Sequence, residues 1–369
     1  MIMRRRNFSP WLLAIFLIAS IPAAAQFPPA EPDPLARIRD AAKTNVQACS
    51  ATGETLCEQV APKIIANAQG DSPLAENLRR LRRALAAKST ATAEEHSVEW
   101  AMAAFREAGL DPRLEKYADP RGGADEQQNV VAEYRGRENP DEWVLVGAHL
   151  APRASAPVAI DNSCDAASVI EAARDISRTA VHPKRSIRFV LFTGDERRML
   201  GSWAYVRAHR VELDYASAAI FLQSDCRPLT GFLLNGRPEM EPGLREAMKP
   251  IESLRADHFA FRSPQGTESF DFLLEGIPAL TAWPVPGTIT LEGPSPVSAP
   301  VKIDIAGLKR NTAIVAVTAF GVAERADPLG PRQSRAEIES LLNKLDREPA
   351  MKAAGLWTLW QSGQRGRFP

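Results

Sequence analysis

The sequence predicts an α/β fold: a three-layer α/β/α sandwich with a mainly parallel, mixed central sheet, preceded by N-terminal helices. Short runs rich in Val, Ile, Leu and Phe recur at 130–134, 143–146, 187–192 and 218–222, each bounded by turn or charged residues. Such runs are what strands buried on both faces require. Between them lie apolar stripes at helical spacing, one through Ala166, Val169, Ile170, Ala173 and Ile176 and another through Leu200, Trp203 and Val206. Strands alternating with helices build a sheet covered on both sides.

The elements follow in order. Arg4, Arg5 and Arg6 precede an apolar stretch from Trp11 to Ser20 and the small residues Ala23, Ala24 and Ala25, the layout of a secretory signal over 1–25. About ten apolar residues fall short of the ~20 that span a bilayer, so no stable membrane anchor is expected after cleavage. Arg5-Arg6-Asn7-Phe8 is similar to a twin-arginine core, from which Ser9 and Pro10 depart. The expected location is periplasmic or secreted. The remaining chain divides into an N-terminal segment over 26–73, the α/β/α domain over 74–330, and a C-terminal helix with a Trp-rich tail over 331–369.

Leu74, Leu78, Leu81 and Leu85 share one helix face, and Val98, Met102 and Phe105 mark a second helix over 95–107 that stops at Gly109. Both read as packing helices, and His96 reads as a solvated surface histidine. Asn162 or Ser163 is placed to cap the helix that follows it. Near the C-terminus Ile338, Leu341, Leu342 and Leu345 mark a helix ahead of Trp357 and Trp360, which either docks on its own core, the favoured reading, or on a second subunit.

Composition excludes some functions. Forty-five basic and forty-five acidic residues give zero formal net charge, and aromatics make up only 7%, so neither the electrostatic footprint nor the stacking platforms of nucleic-acid binding are present. Export permits disulfides. Cys49 and Cys57 could close a short loop. Cys164 follows Asp161 by three residues and Cys226 follows Asp225 directly. If both aspartates hold one metal, the two sulfurs are neighbours, either bonded, simply buried, or, less readily, a thiolate ligand.

In open α/β sheets the functional crevice lies beyond the carboxyl ends of the strands. His149 follows the 143–146 strand, Asp195 and Glu196 follow the 187–192 strand, Asp225 follows the 218–222 strand, and Asp161 stands just before the crossover helix. Imidazole nitrogen and carboxylate oxygen suit zinc. Each aspartate alone is better explained as a helix cap favoured by the dipole than as a ligand. Four carboxylates at one sheet edge, together with a histidine, favour a present or ancestral metal site.

The sequence resembles the exported zinc exopeptidases that include bacterial leucyl aminopeptidases and the plasma glutamate carboxypeptidase group. The motifs are Gly147-Ala148-His149-Leu150, Ala159-Ile160-Asp161-Asn162, the run from Arg188 to Glu196, and Leu200-Gly201-Ser202, followed more faintly by Gly276-Ile277-Pro278-Ala279 and Leu308-Lys309-Arg310-Asn311. The resemblance implies one zinc on His149, Asp161 and Asp225, and a second on Asp161, Glu196 and a late histidine, with peptides or small amides as substrates.

Three positions depart from that pattern. The family's His-x-Asp, whose Asp orients the imidazole, is His149-Leu150-Ala151; its Glu-Glu pair is Asp195-Glu196; and its late His-Thr falls near Pro294 and Ser295, where no histidine stands. Asp195, the position of the general base, is shorter than glutamate by roughly 1.5 Å, and a misplacement of about 1 Å can cost on the order of 10²-fold in rate. Loss of the carboxylate at 151 costs about 10- to 100-fold in affinity or activity. One Zn2+ is therefore expected rather than two. His258 is the candidate to replace the missing ligand, against its reading as a satisfied core residue, while His182 reads as a turn residue and His209 as an outer-face residue. No Gly-x-Ser-x-Gly elbow or phosphate loop offers a rival centre. Two expectations stand: a weakened metallo-exopeptidase, or a non-catalytic scaffold, a pseudoenzyme that binds peptide ends or a partner.

Overall fold

A computed structural model describes residues 56–86, 89–119, 126–150, 163–194, 199–284 and 303–368. Three helices come first: α1 (Leu56–Gln69), α2 (Leu74–Leu85) and α3 (Thr90–Glu107). The leucine stripe of α2 is buried at Leu74, Leu78 and Leu81 as its spacing demands. Helix α3 begins earlier than its apolar stripe, at Thr90, because Ser89 accepts the Thr92 amide at 3.1 Å and caps a polar first turn.

The remaining elements are β1 (Arg113–Ala118), β2 (Glu126–Tyr134), β3 (Asn139–His149), α4 (Ser163–Ser177), β4 (Arg185–Phe192), α5 (Leu200–Ala208), β5 (Ala216–Leu222), β6 (Leu229–Leu233), α6 (Glu241–Met248), β7 (His258–Ala260), α7 (Glu268–Leu274), β8 (Ala279–Pro284), α8 (Ile305–Glu324), α9 (Arg335–Lys344), α10 (Glu348–Ala353) and α11 (Leu356–Gln361). Together the strands form an eight-stranded sheet in the order β1-β2-β4-β3-β5-β8-β6-β7. Its centre is parallel, with β3 between β4 and β5 and β8 beside β5, while β2 joins β4 and β6 joins β8 antiparallel.

Alternation along β3 divides the core. Val144 and Val146 face a layer built from α1, α4 and α8, and Trp143 and Leu145 face the other side, with Tyr205 and Val206 of α5 and Phe272 of α7. The four strands expected from sequence are present, each longer than its apolar run. Strands β1, β6, β7 and β8 were not legible; β1 shows an exposed, partly buried alternation that is largely charged, and β7 has three residues. Helix α8 was marked only by its Leu308–Asn311 motif, since a helix buried through most of its length presents no polar stripe. Among the described residues, no helix is long and apolar enough to cross a membrane. The signal segment and Cys49 lie outside the described residues.

Candidate functional site

The parallel order puts the carboxyl ends of β4, β3 and β5 side by side. His149 is the last residue of β3, opposite Phe192 on β4, and is 5% exposed. The Leu150 amide continues the ladder to the Phe192 carbonyl at 2.7 Å, so the backbone that carries the imidazole is fixed. The ring Nδ1 lies 2.9 Å from Oε1 of Glu268, the first residue of α7, itself 7% exposed. That turn of α7 is anchored in its own right: the Thr267 and Ser269 hydroxyls are 2.7 Å apart, and Thr281 on β8 donates to Ser269 at 2.9 Å.

A second carboxyl reaches the same edge from α3. Burial holds Glu94 protonated to higher pH than usual, opposed by a hydrogen bond with the Thr193 side chain and by the nearby His149. Thr193 directly follows β4, and its carbonyl accepts from the Tyr117 hydroxyl at 2.9 Å. Gly201 permits this packing, since a Cβ there would sit 2.5 Å from the Thr193 carbonyl oxygen.

Asp225 lies in the turn after β5, with φ +49°, and Cys226 follows at φ +63°. Two adjacent non-glycine residues in the left-handed region need a surrounding structure that over-determines them. Here it does. Cys226 is bonded to Cys164 in the first turn of α4, with Cα atoms 5.1 Å apart. Asp165, one residue on, accepts the Ser224 amide at 3.0 Å and the Asp225 amide at 3.4 Å, and also the Ser224 hydroxyl. Burial raises the Asp165 carboxyl to about 7, against the stabilising Ser224 bond. On the other side, Arg227 Nη2 donates to Asp225 Oδ2 at 3.1 Å.

Of the sequence-derived site residues, His149 and Asp225 thus end neighbouring strands of the parallel centre. Asp161, Asp195 and Glu196 lie outside the described residues, as do Ala151, Pro294 and Ser295. Among the described residues no group of three or more His, Cys, Asp or Glu side chains is arranged to hold a metal ion. His258 is neither core nor site: it is exposed on β7, the outermost strand, four strand spacings from β3, or ~19 Å. His182 stacks on Tyr134 with ring centroids 4.5 Å apart, and His209 pairs with Glu115 at 2.8 Å, both away from this edge. A cavity of about 830 Å³ lined by Asp71, Tyr134, Arg174 and His182 opens at the opposite end of the parallel strands and is not part of the site.

Residues 129–310 match the family model described as Peptidase family M28. That region belongs to peptidase family M28. Over 150 residues the chain is 27% identical to carboxypeptidase Q of Rattus norvegicus, covering 41% of this chain and 32% of the relative. The chain thus matches about a third of the length of that curated relative. The fold is that of a peptidase M28 precursor from Shewanella amazonensis, at a TM-score of 0.64 and 16% identity over 76% of this chain and 99% of that one. The Legionella pneumophila LapA aminopeptidase gives a TM-score of 0.57 at 15% identity, over 76% of this chain and 78% of that one.

Three groups at this edge of the sheet escaped sequence reasoning. Glu268 and Glu94 are 119 and 55 positions from His149, and no spacing rule links them. Asp165 sits in the first turn of α4, where an acidic residue is ordinarily explained by the helix dipole.

Proposed function

We propose that the chain is an exported metallopeptidase-family hydrolase that trims peptide ends at a single zinc, held by His149, Asp161 and Asp225, with weak turnover. The observation that carries this reading is the pairing of β3 with β5, which ends one strand in His149 and the next in the Asp225 turn, with the Cys164–Cys226 bond drawing the start of α4 to that turn. The donor chemistry fits: an imidazole with one nitrogen tied to a carboxylate, together with the carboxylates that the sequence supplies at Asp161 and Asp225, is a zinc-type set. The second zinc position lacks its histidine in the sequence, which supports one ion rather than two.

Zinc would supply Lewis-acid polarisation of the scissile carbonyl. The chain's own contributions are separable from that. The His149 ring is kept in one orientation by Glu268 and by the β3 backbone. The Asp225 carboxylate is kept in place by a turn that cannot relax while the disulfide and Asp165 hold it. Asp195 is the proton acceptor, one methylene short of a glutamate in that role, and this shortfall limits the rate. The charged residues Arg4, Arg5 and Arg6 with the apolar stretch after them support export to the periplasm or beyond.

A second reading, a scaffold that binds peptide ends without turnover, is favoured by one observation. Arg227 sits on Asp225 as an ion pair, which compensates the aspartate without a metal. Metal analysis of chelator-free protein together with an aminoacyl-anilide and dipeptide panel decides between them. One zinc per chain, slow hydrolysis and a faster Asp195→Glu variant are expected. Absence of zinc and of hydrolysis, with peptide binding retained, would establish the scaffold.

A further inference from the structure

We infer that Glu268 is the positioning residue for His149, fixing the proton of the ring on Nδ1 and so presenting Nε2 as the nitrogen with the lone pair. The inference rests on the reading of His149 as a metal-binding imidazole. Three observations support it independently of that reading. The Nδ1 to Oε1 distance of 2.9 Å is a hydrogen bond of ordinary length. Both side chains are more than nine-tenths buried, so water competes poorly for either. Glu268 does not hang from a free loop, because Thr267, Ser269 and Thr281 tie its turn to β8, whose neighbour β5 leads into the Asp225 turn.

The chemistry follows from the donor inventory of imidazole. A neutral ring carries one N–H and one lone pair, and whichever nitrogen faces an ionised carboxylate keeps the proton. Metal-binding histidines almost always give their second N–H to a carboxylate, carbonyl or water, which fixes tautomer and ring angle and raises the basicity of the ligand nitrogen. In this chain position 151 is alanine and has no carboxylate to offer. Glu268, 119 residues later in the sequence, supplies one from a different element. The orienting group thus comes from a helix across the sheet edge, so it is the packing of α7, rather than a local motif, that sets the imidazole.

The test uses the full chain, stripped of metal, with ¹⁵N-labelled histidine at one fixed pH, and His149 assigned through a His149→Gln control. In the wild type the His149 signals should be those of a ring protonated at Nδ1. Glu268→Ala should turn them into a mixture of tautomers, while Glu268→Gln, whose amide oxygen still accepts from Nδ1, should retain most of the wild-type signature. Competition with a chelator for Zn2+ should show affinity falling about 10- to 100-fold in Glu268→Ala and less in Glu268→Gln. Identical His149 signals in all three proteins overturn the inference, as does a zinc affinity that is unchanged by Glu268→Ala in a wild type that binds zinc. Should the wild type bind no zinc, the metal reading of the site fails by itself, and the tautomer comparison still decides the role of Glu268.

Discussion

The turn at Asp225 holds its shape against its own backbone. Left-handed non-glycine residues each cost on the order of 1–3 kcal/mol, and two stand in succession here. Asp165 offsets that cost by accepting both the Ser224 and Asp225 amides. Replacing it with alanine leaves the buried Ser224 amide and hydroxyl without their acceptor, a penalty of about 1–3 kcal/mol, and frees the turn to relax. Asp165→Ala should therefore lower the unfolding free energy by about that amount in urea titration, and a chelator-competition assay should show weaker zinc binding in the same variant. Unchanged zinc affinity with lowered stability would mean that Asp165 serves only the fold. At this scale the sequence was informative where chemistry and strand ends coincide. His149 and Asp225 could be singled out because each follows an apolar run whose end marks the functional edge of a parallel sheet. Asp165, Glu94 and Glu268 could not, since their partners are chosen by packing between elements that no local pattern connects.

Helix α4 shows the same division at the level of an element. Its apolar stripe was readable, yet Asp165, Glu171, Arg174 and Asp175 are buried on it as well, which periodicity assigns to a solvated face. Asp175 is fully buried, and burial, with the neighbouring Glu171, raises its carboxyl to about 8. In the unfolded chain the same group titrates near 3.9. The folded state therefore binds a proton that the unfolded state has released between those values, and stability falls as pH rises from about 4 to about 8. Asp175→Asn mimics the protonated form, so its unfolding free energy should exceed that of the wild type at pH 8 and lose much of the slope across that window. Equal slopes in the two proteins would show that Asp175 is ionised throughout. The start of α4 is governed by a different bond. Cys164 and Cys226 are 62 residues apart, and in the loop-entropy account closing such a loop contributes about 4 kcal/mol. Reduction, or Cys164→Ser, should shift the urea midpoint accordingly and release the Asp225 turn. Its sequence signal was conditional: the two cysteines were expected to meet only if the two aspartates beside them shared one site.

Over the whole molecule, the C-terminal tail reaches back to the candidate site through one helix. Trp360 packs with Phe270, Leu273 and Leu274 of α7, alongside Ile338, Leu341 and Leu342 of α9, so the tail docks on its own core as its apolar helix implied. Beyond it, Arg365 donates through Nε and Nη2 to the two carboxylate oxygens of Asp271, at 2.6 and 2.9 Å, and Ser202 of α5 donates to the same carboxylate at 2.7 Å. Both members of the pair are almost wholly buried. Removing one partner strands a buried charge, which typically costs about 3–5 kcal/mol, whereas replacing both with apolar groups of similar volume is far less harmful. Arg365→Met should accordingly lower the urea midpoint strongly with no change in the slope of the transition, and Arg365→Met with Asp271→Leu should recover a large part of the loss. Asp271 lies three residues after Glu268 on α7, so the clamp on the tail side and the hydrogen bond to His149 belong to one rigid turn. Arg365→Met should for that reason also loosen the His149 tautomer under native conditions, in the same direction as Glu268→Ala but to a smaller extent. A destabilised protein whose His149 signals stay those of the wild type would confine the tail to a structural role and separate it from the imidazole at the sheet edge.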